Sequence, residues 1–453
     1  MNTKLGFYGG VGSVTGANFK LDFEGSSLLV DCGLIQGSRF QEVENKEPFL
    51  YNPAKVDTLL VTHAHADHIG RIPKLVREGF QGTIYSTPPT RALAEVMLRD
   101  AYKVMLFEEE RYGNERLYEE EDIAAALSLW KTAPYKEKIS LPDDVTFTFS
   151  DAGHILGSAI VSIERRGKKI VFTGDIGNIP QPLLPPPDVP EDYDYMVMES
   201  VYGDRQHEEV ETRTELLKGY IQKAISQHGT LIIPAFSLER TQGMLLEINN
   251  LVESGDIEPI PTFLDSPLAI SVTGIYKNYV TYLKPEIQEQ IKKGDYIFDF
   301  PKLSFTKSMS ASKDIAREKG AKIIIAGSGM SHGGRIREHE KRYLEETNTI
   351  LLLVGYQSVG SLGRKLNDGA NKVRIDDTDV NVHAEIARIR GYSGHADRDQ
   401  LLEFVQKGGD KAKKVFVTMG EEKSSLFLVQ RLRDYLGVNA IAPSLGEEVE
   451  LDF

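Results

Sequence analysis

Cysteine is almost missing from this 453-residue chain: Cys32 stands alone. A single cysteine excludes an internal disulfide and fits a reducing cytoplasm. In "LLVDCGLIQ" it has no nucleophile context and reads as a small core residue. Long apolar runs are missing too; none approaches the roughly 20 residues that a membrane span needs. The first residues, "MNTKLGFYGGVGSVTGANF", lack a charged segment followed by an apolar one, so no signal peptide is expected. Positive charge is short: 53 Lys and Arg against 67 Asp and Glu leave a formal net charge of −14, which argues against a broadly basic nucleic-acid face. Local basic clusters at 333–343 and 363–374 soften that argument, although ordinary solvated faces explain them equally well.

What is present alternates in texture along the chain. The first 200 residues hold short β-rich runs such as "VDTLLVTH", "VTFTFSDAG", "KKIVFTGD" and "YDYMVMES", most ending in Gly, Asp or His. Polar residues therefore gather at strand ends, where loops can share a site. Residues 90–131 have helical spacing with Thr90 as a candidate N-cap, and 179–193, "IPQPLLPPPDVPEDY", predicts an extended, exposed connector. After about residue 205, helix and strand alternate as in a parallel α/β sheet. From about 381, strands with polar tips resume, with a helix at 397–407.

The sharpest signal is "VTHAHADHIGRIP" at 61–73, with His63, His65, Asp67 and His68 within six positions. Zinc takes imidazole nitrogen and carboxylate oxygen, and His63 and His65, two apart on extended chain, point the same way. Asp67 and His68 follow the turn and can serve a second ion; two adjacent ions suit phosphoryl displacement. The bland alternative is a chance cluster on a surface loop. Further along, His154 in "FSDAGHILGSA" and Asp175 in "KKIVFTGDIGN" follow apolar strands, and Asp31 fits a buried hydrogen-bonding acid better than a ligand.

In this order, Asp31, "HAHADH", "AGHILGSA" and "FTGD" resemble the successive motifs of the metallo-β-lactamase fold. "ESVYGDR" (199–205), "PAFSLERTQ", "LDSPLA", "GSGMSHGGR" (327–335), "GYQSVGSLGRKL" and "GYSGHAD" (391–397) resemble the β-CASP group of nucleases, which includes bacterial homologues of the nuclease subunit of the cleavage and polyadenylation specificity factor. The resemblance implies an αββα metallo-β-lactamase sandwich with an inserted parallel α/β β-CASP domain: 1–205 and 381–453 for the first, 206–380 for the second. It also implies a cytoplasmic, metal-dependent ribonuclease acting on single-stranded RNA, with two zinc ions (manganese as an alternative) and hydroxide as nucleophile. His63, His65 and His154 would hold one ion, Asp67 and His68 the other, and Asp175 would bridge. His395 would protonate the leaving oxygen, Glu199 would orient His395, and Asp67 would count among the catalytic groups. In "GSGMSHGGR", Ser328, Gly329, Gly333 and Gly334 offer unhindered backbone N–H groups suited to a phosphate.

One position departs from that pattern. Where the group carries a histidine after the last apolar strand, "VFVTMGEE" carries Met419, and a thioether is a poor zinc ligand beside imidazoles. The second ion would be loosely held, absent, or completed by water or Glu421; the bland alternative is that Met419 simply packs in the core and one ligand is dispensable. The other histidines (207, 228, 332, 339 and 383) lie in other segments, and His332 has a loop better placed for substrate. The alternative function is thus an RNA-binding or regulatory protein with an impaired metal site. A hydrolase of small esters or lactams gives "GYSGHAD" and the insertion no purpose, while DNA as substrate stays open. No separate RNA-binding appendage is visible, so a homodimer would have to use the two domains themselves.

Overall fold

Neighbouring residues of the strands Ala159–Arg165 and Lys168–Phe172 serve two different cores. Val161, Ile163, Ile170 and Phe172 join one buried cluster with Leu5, Phe7, Phe19 and Val30, while Ile160 and Val171 join another with Leu401, Phe404, Leu428 and Leu432. This is the period-2 alternation of a sheet covered on both faces. The computed structural model in which this is seen describes residues 3–37, 43–207, 212–358, 360–409 and 411–453; Val359 of "GYQSVGSLGRKL" falls outside them.

The chain divides into two compact units, one built from 1–181, 185–206 and 395–453, the other from 182–184 and 207–394. The first holds two seven-stranded sheets. One runs, in spatial order, Glu448–Leu451, Thr3–Gly9, Asn18–Asp22, Ser27–Val30, Thr58–Leu60, Thr83–Ser86 and Trp130–Thr132. The other runs Ala440–Ile441, Lys414–Val417, Tyr195–Met198, Lys168–Phe172, Ala159–Arg165, Thr146–Asp151 and Lys138–Ser140. The inner faces meet in the first cluster, with Phe7 against Phe416 at 5.2 Å and Phe19 near Phe172 at 6.0 Å between ring centroids. Each such aromatic pair adds about 0.5–1.5 kcal/mol beyond area burial. Helices Arg398–Lys407 and Glu422–Leu436 cover the outside of the second sheet, and Pro88–Tyr112 and Glu120–Ser128 accompany the first, giving the αββα sandwich.

In each sheet one half is antiparallel and the other parallel. The parallel strands Ser27–Val30, Thr58–Leu60, Lys168–Phe172, Tyr195–Met198 and Lys414–Val417 end just before Asp31, Thr62, Thr173, Glu199 and Thr418. Strand ends therefore deliver polar residues, among them Asp31 and Glu199, which the sequence pattern picked out.

The second unit carries a six-stranded, wholly parallel sheet in the order Leu303–Phe305, Thr262–Leu264, Lys322–Ala326, Thr230–Pro234, Thr349–Leu353 and Glu385–Arg388. Its central strands, "TLIIP", "KIIIA" and "TILLL", are buried end to end, as strands covered on both faces must be.

Details differ from the expectation. The strand Glu385–Arg388 hydrogen-bonds to Thr349–Leu353, so this unit runs to Gly394 where the sequence placed a boundary at 380. The helix expected over 90–131 is two helices followed by the strand Trp130–Thr132, and its N-cap is Thr87, whose Oγ1 accepts the Thr90 N–H, because Pro88 and Pro89 suit a first turn. The proline-rich connector is not exposed throughout: Leu183 and Leu184 are buried. Among the described residues, no helix is long and apolar enough to cross a membrane.

Candidate metal centre

His63 and His65 leave the strand Thr58–Leu60 on extended chain, and Asp67 and His68 lie on the short helix Ala66–Ile69 that follows. His154 comes from the loop after Thr146–Asp151, where Ser158 Oγ accepts the backbone N–H groups of His154 and Ile155 and so fixes the turn. Asp175 follows Lys168–Phe172. These side chains converge. His63 Nε2 and His154 Nε2 stand 3.0 and 3.2 Å from His65 Nδ1, and 3.4 and 3.5 Å from Asp175 Oδ2. Across the carboxylate, His68 Nε2 lies 3.4 Å from Asp175 Oδ1 and 3.8 Å from Asp67 Oδ2. The result is two donor groups sharing Asp175: His63, His65 and His154 on one side, Asp67 and His68 on the other.

Cations fit these groups on a direct observation. His68 Nε2 and Asp175 Oδ1 are buried and face one another, and neither has a hydrogen-bond partner. Unpaired buried polar atoms are costly, and a cation between them removes that cost. Imidazole and carboxylate donors in this number suit zinc or a similar divalent ion.

Electrostatics agree with the geometry. Burial, with the neighbouring histidines, holds His63 and His65 well below the ordinary histidine value, so their lone pairs are free for a ligand role. For His68, burial is outweighed by Asp175, Asp31 and Asp67, which raise it well above the ordinary value. Burial pushes the Asp67 carboxyl up to about 6. Asp175 is held well below the carboxylate range because His68 and His63 outweigh its burial.

His395 stands beside this set, with Nδ1 3.4 Å from Glu199 and 3.9 Å from Asp175 Oδ2, and the three form a further convergent group. Burial acts to lower the His395 pKa, but Glu199 and Asp175 prevail and take it to about 9. Glu199 is fully buried and also accepts the Ile176 N–H.

Sequence reasoning missed one polar residue of the centre. Thr62 Oγ1 donates to Asp31 Oδ2 and lies 3.1 Å from His63 Nδ1 and 3.3 Å from His68 Nδ1. Its only signal was its place directly before His63. Asp31 acts as the hydrogen-bonding acid it was expected to be: it accepts the Thr62 N–H and, at 2.7 Å, the His68 Nδ1–H. Met419 is buried in the sandwich core and lines a small cavity together with Asp31, Thr62 and His68; its Sδ lies 2.4 Å from where a Cβ on Gly10, a residue of φ +68°, would stand. Glu421, exposed at the N-cap of Glu422–Leu436, joins no donor group among the described residues.

Ser328, Gly329, Gly333 and Gly334 lie in the second unit. Two of the four N–H groups, those of Ser328 and Gly333, are used within the loop. Ser328 Oγ accepts the His332 and Gly333 N–H groups, and the Ser328 and Ser331 N–H groups go to the carbonyls of Gly333 and Ser328. The two basic clusters are mostly neutralised: Arg335 pairs with Asp265, Arg337 and Lys341 with Asp376, Arg364 with Asp368 and Lys372 with Asp379.

Family profiles match three stretches of the chain: a metallo-beta-lactamase superfamily domain over 20–184, a Beta-Casp domain over 241–366, and a Zn-dependent metallo-hydrolase RNA specificity domain over 379–443. A ribonuclease of Thermus thermophilus is 37% identical over 422 residues, covering 93% of this chain and 94% of that protein. An RNase J-like protein of Methanocaldococcus jannaschii is 30% identical over 446 residues, 98% of each chain. The transcription termination factor FttA of Methanosarcina mazei is 30% identical over 463 residues, 98% of this chain and 71% of its own length. A crystal structure of a protein of unknown function from Enterococcus faecalis superposes over 100% of both chains with a TM-score of 0.58 at 11% identity, a likeness of fold alone.

Proposed function

This chain belongs to the β-CASP group of the metallo-β-lactamase superfamily, and on that premise we propose that it is a metal-dependent RNA hydrolase that cuts single-stranded RNA in the cytoplasm. The observation that carries the reading is the pair of donor groups sharing Asp175, with the His395–Glu199 pair 3.4 Å apart beside them.

His63, His65, His154 and Asp175 would hold one ion, and Asp67, His68 and Asp175 the other. When bound, zinc or manganese would polarise the phosphate and make water a competent nucleophile at neutral pH. The protein's own groups do the remaining work. Asp31 and Thr62 fix the ring orientations of His68 and His63, as carboxylate and hydroxyl partners of metal-binding histidines do. Asp67 takes the proton of the attacking water. His395, kept cationic and aimed by Glu199, gives its proton to the departing ribose oxygen. Backbone cleavage then needs no strong acid in solution.

The test is cleavage of an unstructured RNA with zinc or manganese supplied, wild type against His395→Ala. Cleavage lost or strongly reduced in the variant is expected; no cleavage by either protein would overturn the reading. A second reading, RNA binding with little turnover, is favoured by Met419, a thioether where a ligand histidine is expected. Elemental analysis of the wild type and Met419→His decides between them. Two ions per chain with cleavage in the wild type supports the nuclease, and cleavage only in the histidine variant supports the binder.

A further inference from the structure

Phe236 is 38% exposed and Tyr356 is 50% exposed, and both stand at the mouth of the parallel sheet. Phe236 follows the strand Thr230–Pro234, and Tyr356 follows Thr349–Leu353, its neighbour in the sheet. From Thr230–Pro234 the chain passes to Thr262–Leu264 on one side and later returns to Thr349–Leu353 on the other. The gap between these two strands is therefore a switch point, the place where open α/β sheets receive ligands beyond the carboxyl ends of their strands.

The ring of Phe236 is bedded on glycine. A Cβ at Gly329 would stand 2.8 Å from the ring and 2.9 Å from the Phe236 backbone nitrogen, so a side chain there is excluded; one at Gly355 would meet the ring at 3.5 Å. The buried amide of Gln357 ties the two glycines together, donating from Nε2 to Gly329 O at 2.9 Å and to Gly355 O at 3.2 Å. His332 Nε2 and Ser358 Oγ, 3.4 Å apart on the same two loops, add polar atoms able to meet a base edge or a ribose hydroxyl.

We propose that Phe236 and Tyr356 form a nucleobase-stacking platform at this switch point, bedded on Gly329 and Gly355 and held by Gln357, for one strand of RNA. The proposal rests on the RNA reading above and names how the strand is gripped. Stacking on an aromatic ring adds affinity for a base whatever its sequence, and it is a contact that the largely ion-paired basic clusters of this unit do not supply. In this arrangement the glycine-rich loop supports a ring at Gly329.

The chain itself supplies the optical background for a test. Its one tryptophan, Trp130, is buried in the first unit and donates to Ser86 Oγ, so it stays silent toward a ligand of the second. In Phe236→Trp, a short phosphorothioate-linked oligoribonucleotide should quench the new fluorescence, and an abasic strand of equal length and charge should not. By anisotropy of the labelled strand, Phe236→Leu should bind about tenfold more weakly, while Phe236→Tyr should bind as the unsubstituted protein does. Equal binding by Phe236→Leu, or equal quenching by the abasic strand, overturns the platform and leaves the RNA reading standing. No binding by the unsubstituted protein overturns both.

Discussion

Asp175 and Asp265 are both buried carboxylates, one in each unit, and they are finished differently. Asp265 has all it needs from the protein. Thr306 Oγ1 and Arg335 Nη1 donate to Oδ1 at 2.6 and 2.7 Å, and Ser312 Oγ and His339 Nε2 donate to Oδ2 at 2.5 and 2.7 Å. Asp175 instead faces three imidazole nitrogens at 3.4–3.5 Å and keeps an oxygen without any hydrogen-bond partner. A satisfied buried acid holds a fold together, whereas an unsatisfied one among lone pairs is shaped for something the chain does not itself contain.

The largest effect that could break this comparison is at Asp175. Asp175→Ala should abolish binding at both ion sites and lower cleavage by more than the roughly 100-fold usual for residues that only support a metal ligand. Chelation should lower the wild-type melting temperature, because ligand binding stabilises the folded state by mass action, and should leave that of the variant unchanged. Retained metal in the variant, by elemental analysis, would remove Asp175 from the centre.

Asp265→Ala should do the reverse. It leaves Arg335 without its buried counter-charge and His339 without its acceptor, a loss of roughly 3–5 kcal/mol of stability, with metal content per folded chain unchanged. Differential scanning calorimetry reads the first and elemental analysis the second. A smaller effect is expected from Thr62→Val, about 10–100-fold weaker metal binding in a calorimetric titration, with stability nearly preserved. Unaltered affinity would mean that Asp31 alone orients these histidines.

The smallest effect is a pH dependence. Burial acts to raise the Asp265 carboxyl, but hydrogen bonds from His339, Ser312, Thr306 and Arg335 prevail and hold it at about 2. A carboxyl lower in the folded than in the unfolded chain stabilises fully above its unfolded value of about 4 and loses that contribution as the pH falls toward 2. About 2 kcal/mol should therefore fade over that interval in urea midpoints of the wild type. Asp265→Asn should be less stable near neutrality and should converge with the wild type toward the acid end.

The legible part of this molecule was local in sequence. Four donors within six positions announced the centre, and His154 and Asp175 could be added because each followed an apolar strand. The network around Asp265 was invisible because its partners lie 41–74 positions away, on elements that only the folded sheet brings together. Met419 shows the other limit. Its place in the core was one of the two readings open from the sequence, and its packing there could be decided only by the folded sandwich. The strand Glu385–Arg388 escaped assignment to the second sheet for a related reason: in "EIARIRGYSGHAD" the eye follows the motif, and the pairing with Thr349–Leu353 is set by tertiary packing.

The interrupted course of the first unit has a consequence in time. Thr3 begins the strand that pairs with Glu448–Leu451, and its hydroxyl donates to the carbonyl of Phe453, 450 positions later. At about 5–20 residues per second, a ribosome takes from roughly 20 to 90 seconds to supply those partners. Through that interval the opening strand has an unfilled edge, and the sheet bearing Asp175 still lacks Lys414–Val417. The inserted sheet, whose strands all lie between Thr230 and Arg388, is complete in the nascent chain well before the unit that surrounds it in sequence. In the cell, the domain begun first is therefore the one finished last: its metal donors have all been made once Asp175 is, but His395, which stands beside them, follows only after the insertion.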